Sequence, residues 1–264
     1  MHRIEFLRGA LGGLLLAAIP AAWAQDDPPV EPSGAGAPLP EGFVRRSWRV
    51  GSVSREAIVR LPAKVDGAPL ILAFHGHGGR VERTARTWKV NDAWSEAVVV
   101  FPQGVPTSTR NDPEGRRPGW KVVGLANADL DFVDALLRTA REEWKVDSDR
   151  IFAMGHSNGG GFVNLLYGRR AGVFAGLGVV AASGERLVAA GKPCPLIHIG
   201  GRADRIVPFA EQERAVEAVR RINGSVAPVE FVIHEGGHAW PRTATAKIVE
   251  FFKHQRRAGA PKEK

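Results

Sequence analysis

The stretch Arg150-Ile-Phe-Ala-Met-Gly-His-Ser-Asn-Gly-Gly-Gly161 decides how this chain folds. Residues 151–154 form a short apolar run suited to a buried strand, and Gly161-Phe-Val-Asn-Leu-Leu-Tyr167 then shows helical apolar spacing. Between them lies a Gly-x-Ser-x-Gly turn, Gly155-His-Ser-Asn-Gly159. A serine on so sharp a strand-to-helix bend projects its hydroxyl away from the sheet, and the flanking glycines let neighbouring backbone pack closely. The helix that begins there directs its free amides and the positive end of its dipole at the place where charge would develop on a carbonyl oxygen. Ser157 is therefore expected to be a nucleophile.

Working outward, residues 47–53 and 56–61 read as an antiparallel start to a sheet. Apolar runs at 70–74, 97–101, 151–154, 177–181, 196–199 and 230–233 read as further strands. Helical spacing at 129–144, 211–221 and 245–255, and a helix-compatible stretch at 84–94, fall between and after them. Strands alternating with helices around continuous apolar runs predict an α/β fold, with a mostly parallel central sheet and helices on both faces. Reactive groups in such a sheet gather at the carboxyl ends of its strands.

The first residues carry Arg3 and Arg8, an apolar run at 11–19 and Pro20-Ala-Ala-Trp-Ala24, the pattern of a secretory signal peptide cleaved after Ala24. The apolar run is shorter than the roughly 20 residues that span a bilayer, so no integral membrane anchor is expected in the mature chain. Residues 25–42, dense in Pro, Gly and Ala, read as a flexible leader; 43–258 form one domain and 259–264 a disordered tail. The single cysteine, Cys194, excludes an intramolecular disulfide and reads as a buried thiol. The net charge of +8 comes from basic doublets scattered along the chain rather than clustered with aromatics, which argues against a nucleic-acid partner.

A serine hydroxyl needs a base to take its proton, and the base needs a carboxylate to hold its tautomer. In this architecture the chain order is Ser, then Asp or Glu, then His. Asp204 follows the 196–199 strand in Gly200-Gly-Arg-Ala-Asp-Arg-Ile-Val-Pro208, and His238 follows the 230–233 strand in His234-Glu-Gly-Gly-His-Ala-Trp-Pro241. They are the expected acid and base. His234 competes as base, His198 reads as a core residue, and Glu185 and Glu235 are poorer acids. Stabilisation of an oxyanion is expected from the Asn158 N–H and from the loop His75-Gly-His-Gly-Gly79, through the His77 amide with Gly76 second. His75 and His77 lack a clear third ligand, so neither a metal nor another cofactor is expected.

The motifs His75-Gly-His-Gly-Gly79, Phe101-Pro-Gln-Gly104, Gly119-Trp120, Asp129-Leu-Asp-Phe-Val133, Gly155-His-Ser-Asn-Gly-Gly160, Asp204-Arg-Ile-Val-Pro208 and Gly237-His-Ala-Trp-Pro241 follow one another along the domain. In that order the chain resembles the α/β-hydrolase esterases of the polyhydroxybutyrate depolymerase-like and feruloyl esterase-like family. The resemblance implies a serine esterase with Ser157, Asp204 and His238 as its triad and Trp120 and Trp240 beside the substrate. The partner it implies is a small or oligomeric carboxylic ester, whether short-chain, hydroxyalkanoate or feruloyl. Two departures stand out: many members have cysteine where His77 stands, and many secreted ones have disulfides. A serine peptidase, an acyltransferase or a non-catalytic envelope-associated binding protein would use the same fold. The long 105–128 segment is expected to form a lid or pocket wall.

Overall fold

The computed structural model describes residues 38–124 and 127–257. Along the chain these form β1 (Val44–Val50), β2 (Val53–Arg60), β3 (Leu70–Phe74), α1 (Val81–Trp88), α2 (Val90–Ala93) and β4 (Val98–Pro102). A ribbon of β5 (Val105–Pro106) and β6 (Pro118–Gly119) leads to α3 (Ala128–Glu142), β7 (Ile151–His156), α4 (Asn158–Arg170) and β8 (Gly176–Val180). The chain continues with α5 (Glu185–Val188), β9 (Leu196–Gly201), α6 (Phe209–Asn223), β10 (Val229–His234) and α7 (Ala244–Lys253). Among the described residues the main sheet has eight strands in the order β1-β2-β4-β3-β7-β8-β9-β10. The pairs β1–β2 and β2–β4 are antiparallel, and the rest are parallel.

The expected 47–53 strand ran through a turn: β1 ends at Val50, Gly51 takes φ 58°, and Val53 pairs back onto Val50. The 84–94 stretch likewise makes two short helices, because Lys89 adopts φ 50° and caps α1 by donating its N–H to the Ala85 carbonyl. The signal peptide, most of the leader and the tail lie outside the described residues. The end of the expected leader is fastened to the domain: Leu39 packs against the core, Phe43 N–H bonds the Pro40 carbonyl, and Arg86 bonds the Pro38 carbonyl. No described helix is long and apolar enough to cross a membrane.

The continuous apolar runs of the inner strands are explained by two cores, one on each face of the sheet. In β3, Leu70, Leu72 and Phe74 point to one core while Ile71 and Ala73 point to the other. β4 and β7 divide in the same way, with Val98, Val100, Ile151 and Ala153 on one side and Val99, Phe101, Phe152 and Met154 on the other. Phe132, Val133, Leu136 and Leu137 of α3 and Phe162 and Leu166 of α4 cover the first face. Val81 and Ala85 of α1 and Ile248 and Phe252 of α7 cover the second. Asn127 starts α3 by accepting the N–H groups of Asp129 and Leu130, a side-chain cap that stops the preceding segment at a defined point.

A buried ion pair joins α3 to the antiparallel edge of the sheet. Arg55 Nη1 lies 2.7 Å from Asp129 Oδ1, with side chains 2% and 4% exposed. The contact is one of charge rather than an aligned hydrogen bond. Asp129 Oδ2 also accepts the Lys121 N–H at 2.7 Å, and the Arg55 guanidinium lies over the Phe132 ring. Removing one charge strands the other away from water, at a cost of about 3–5 kcal/mol. Asp129→Leu is thus expected to lower the urea-unfolding free energy by about that much, and adding Arg55→Met to restore most of it. A loss below about 1 kcal/mol for the single variant would contradict this account of the pair.

Candidate active site

Loops at the carboxyl ends of β3, β7, β9 and β10 converge on Ser157. Ser157 has φ 53°, in the left-handed region, a conformation that costs on the order of 1–3 kcal/mol. It is held there by its N–H, which donates to the Val180 carbonyl of β8 at 2.9 Å, and by its carbonyl, which accepts the Gly161 N–H at 2.8 Å. The glycines of the motif serve close approach: a β-carbon on Gly159 would overlap the Phe74 and His75 carbonyls, and one on Gly155 would overlap Gly159 itself.

The Ser157 hydroxyl donates to His238 Nε2 at 2.8 Å, and His238 Nδ1–H donates to Asp204 Oδ2 at 2.9 Å. His238 stands 81 residues from Ser157 and 34 from Asp204 in the chain, so only the sheet brings them together. The Asp204 carboxylate is shut off from solvent and accepts three further bonds. Ile206 and Val207 N–H reach Oδ1 at 2.9 Å each, and Gln212 Nε2 reaches Oδ2 at 3.1 Å. These donors fix the carboxylate towards His238.

Gln212 was missed in reading the sequence. It lies on the buried stripe of α6 with Ala215, Val216 and Val219, a polar residue at an apolar position, and that misfit was the available signal. Its Oε1 accepts the Nε2–H of His198, which is the satisfied core histidine the sequence suggested. His234 is not drawn into the relay: its Nδ1 accepts the Gly236 N–H. Glu185 and Glu235 face arginines, Glu235 pairing with Arg202 at 3.3 Å. Cys194 is buried beside the Phe174 carbonyl, and burial pushes its thiol up to about 12.

The loop after β3 abuts Ser157, since a β-carbon on Gly76 would stand 3.5 Å from Ser157 Cβ. Among the described residues, no loop or turn hydrogen bond uses the N–H of His77 or of Asn158. The Asn158 side chain is occupied by Trp120, accepting its N–H at 2.7 Å and donating to its carbonyl at 3.0 Å. The His77 ring bonds Asp112 Oδ2 at 3.0 Å, tying the loop to the 105–119 segment. Gly78 N–H also bonds the Pro118 carbonyl at 2.7 Å. The β5–β6 ribbon is therefore a wall packed on this loop.

Trp120 does not line a cleft, contrary to the expectation. It is 1% exposed, stacks on Phe162, meets Phe74 edge-on and donates its indole N–H to the His75 carbonyl at 2.9 Å. The indole is a buried brace for the β3 loop, because the Asn158 bonds turn the Gly119-Trp120 backbone inward. Trp240 is half-buried, stacked on Trp88 at 3.7 Å and edge-on to His156 at 6.4 Å. His156 lies 5.0 Å from His238, ring to ring, with its Nε2 shielded from solvent. Burial first, and then His238, hold its pKa down to about 3, against the opposing pull of Asp204. His156 is thus kept neutral beside His238.

No family model matches the chain. It is 32% identical over 162 residues to the putative esterase NocK of Nocardia uniformis subsp. tsuyamanensis, covering 56% of this chain but 43% of that relative's length. It is 25% identical over 217 residues to the probable feruloyl esterase C of Aspergillus clavatus, covering 70% of this chain and 75% of the relative. The solved structure of a ferulic acid esterase is similar with a TM-score of 0.64 at 16% identity, over 80% of this chain and 96% of that one. The Bacillus cereus carboxylesterase has a TM-score of 0.60 at 21% identity, over 75% of this chain and 93% of that one. With the sheet order above, these likenesses establish the α/β-hydrolase fold. The relatives it is similar to carry esterase names.

Three imidazoles in this region are held neutral chiefly by burial: His75 with pKa about 4, His156 about 3 and His198 about 4, against 6.5 for an ordinary histidine. Below pH 6.5 the unfolded chain binds protons that the folded one refuses, so stability falls as pH falls towards those values. The urea midpoint is expected to drop between pH 6.5 and 5, before most carboxylates titrate. A midpoint constant across that window would show that these rings are not kept neutral.

Proposed function

We propose that this protein is an exported serine esterase that hydrolyses carboxylic esters through an acyl-enzyme. The observation that carries the reading is the unbroken hydrogen-bond path from Ser157 through His238 to Asp204. Ser157 Oγ attacks the ester carbonyl carbon while its proton passes to His238 Nε2. Asp204 holds the imidazole in the required tautomer and stabilises the imidazolium. The negative oxygen of the tetrahedral intermediate is received by the Asn158 and His77 N–H groups, each such donor being worth about 3 kcal/mol of barrier. Collapse breaks the bond to the alcohol, which leaves with the proton from Nε2. Water then enters, gives a proton to His238 and releases the acid from Ser157, restoring the hydroxyl.

The Trp88–Trp240 stack beside His156 supports Trp240 as an apolar wall of the substrate cleft. Small or oligomeric esters of the short-chain, hydroxyalkanoate or feruloyl kind are the substrates we infer, the feruloyl kind being supported by the name of the Aspergillus relative. The signal-like residues 1–24 support export to the periplasm or the medium. Mature protein is expected to turn over p-nitrophenyl acetate and butyrate, with Ser157→Ala lowering kcat/KM by at least about a thousandfold. A serine-reactive phosphonate should label Ser157, read by mass spectrometry. Turnover that survives Ser157→Ala would reject this function.

A further inference from the structure

The motif Phe101-Pro-Gln-Gly104 has no part in the proton relay, yet its glutamine touches both ends of the loop that carries His77. The Gln103 backbone is anchored to β2: its N–H donates to the Glu56 carbonyl at 2.8 Å, and its carbonyl accepts Arg55 Nη2 at 3.4 Å. From that fixed point the side chain crosses to residues 75–81. Gln103 Nε2 directs its two hydrogens to the Gly79 carbonyl at 3.3 Å and the Gly104 carbonyl at 3.1 Å, and lies 3.1 Å from His75 Nε2. Its Oε1 accepts the Val81 N–H at 3.2 Å.

Every neighbour of Nε2 is an acceptor and the neighbour of Oε1 is a donor, so the amide has one satisfactory orientation. His75 completes the arrangement. Its Nδ1–H donates to the Gly76 carbonyl at 2.7 Å and its unprotonated Nε2 accepts the Gly104 N–H at 2.9 Å, so the ring is fixed in one tautomer against the Gln103 amide. Gly79 closes onto the His75 ring, where a β-carbon would come within 2.7 Å of Nδ1. His77 lies midway along the segment that these contacts close.

We propose that Gln103 is a positioning residue: its side-chain amide bonds the 75–81 loop at Gly79 and Val81 and packs against the His75 ring, and so aims the His77 N–H at the developing oxyanion. The inference rests on the esterase reading. An oxyanion donor acts only within about 2.7–3.1 Å of the charged oxygen, so a loosened loop loses transition-state stabilisation while ground-state binding is kept.

The test uses the mature protein with p-nitrophenyl butyrate. Gln103→Met, similar in size but without the amide, is expected to lower kcat about 10- to 100-fold with KM within about threefold. Gln103→Glu keeps the acceptor for Val81 but donates to Gly79 or Gly104 only when protonated. Its kcat relative to wild type is therefore expected to rise as pH falls from 8 to 5, a trend that a purely structural role would not produce. Two outcomes overturn the clasp: kcat within twofold of wild type in whichever variant folds, or a KM change that accounts for the loss. Failure of both variants to fold also overturns it, because a contact confined to one loop would leave both cores intact. Wild-type protein without Ser157-dependent turnover would instead sink the esterase reading, so the two failures are told apart.

Discussion

The arrangement depends on one residue held in an unfavourable conformation. Ser157 occupies the left-handed region between a parallel strand and a helix, and the bond from its N–H to Val180 keeps it there. That bond exists because β8 lies beside β7 in parallel register, with His156 opposite Val180. The cost of the backbone is met by the cohesion of the sheet rather than by the turn itself. If the strand ended one residue earlier, the hydroxyl would point elsewhere and His238 would have nothing to accept.

Charge around the site is managed by burial and by donors together. Asp204 is removed from water but surrounded by four hydrogen bonds, two from its own turn, one from Gln212 and one from His238. The neighbouring imidazoles of His75, His156 and His198 are denied charge by the same burial. Among the described histidines, only His238 combines a carboxylate on one nitrogen with a hydroxyl on the other. What sets His238 apart from these histidines is thus its environment.

Behind the loops lies a second layer of support. Arg55 touches Asp129 of α3 and the Gln103 carbonyl, Gln103 reaches His75, and the Trp120 indole bonds the His75 carbonyl. Asn158, the residue after Ser157, holds the Trp120 backbone from the other side. The antiparallel edge of the sheet is connected in this way to the loop beside Ser157, and His77 to Asp112 adds a tie from the ribbon.

Much of this was legible in the chain because the signals are local. Apolar runs bounded by glycine and proline mark strands, and Gly-x-Ser-x-Gly marks the bend. Aspartate and histidine just after later strands mark the remaining polar groups, since loop position follows from strand position. Trp120 was misread, Gln212 passed unseen and Gln103 was given no role of its own for the opposite reason. Whether an indole faces solvent or core, and whether a glutamine's amide finds partners, depends on which strands become neighbours. Residue order alone determined the alternation of strands and helices and the place of the serine on the strand-to-helix bend. Only the tertiary structure decided which polar side chains are satisfied, and which histidine meets both a hydroxyl and a carboxylate, because those contacts join segments far apart in the chain.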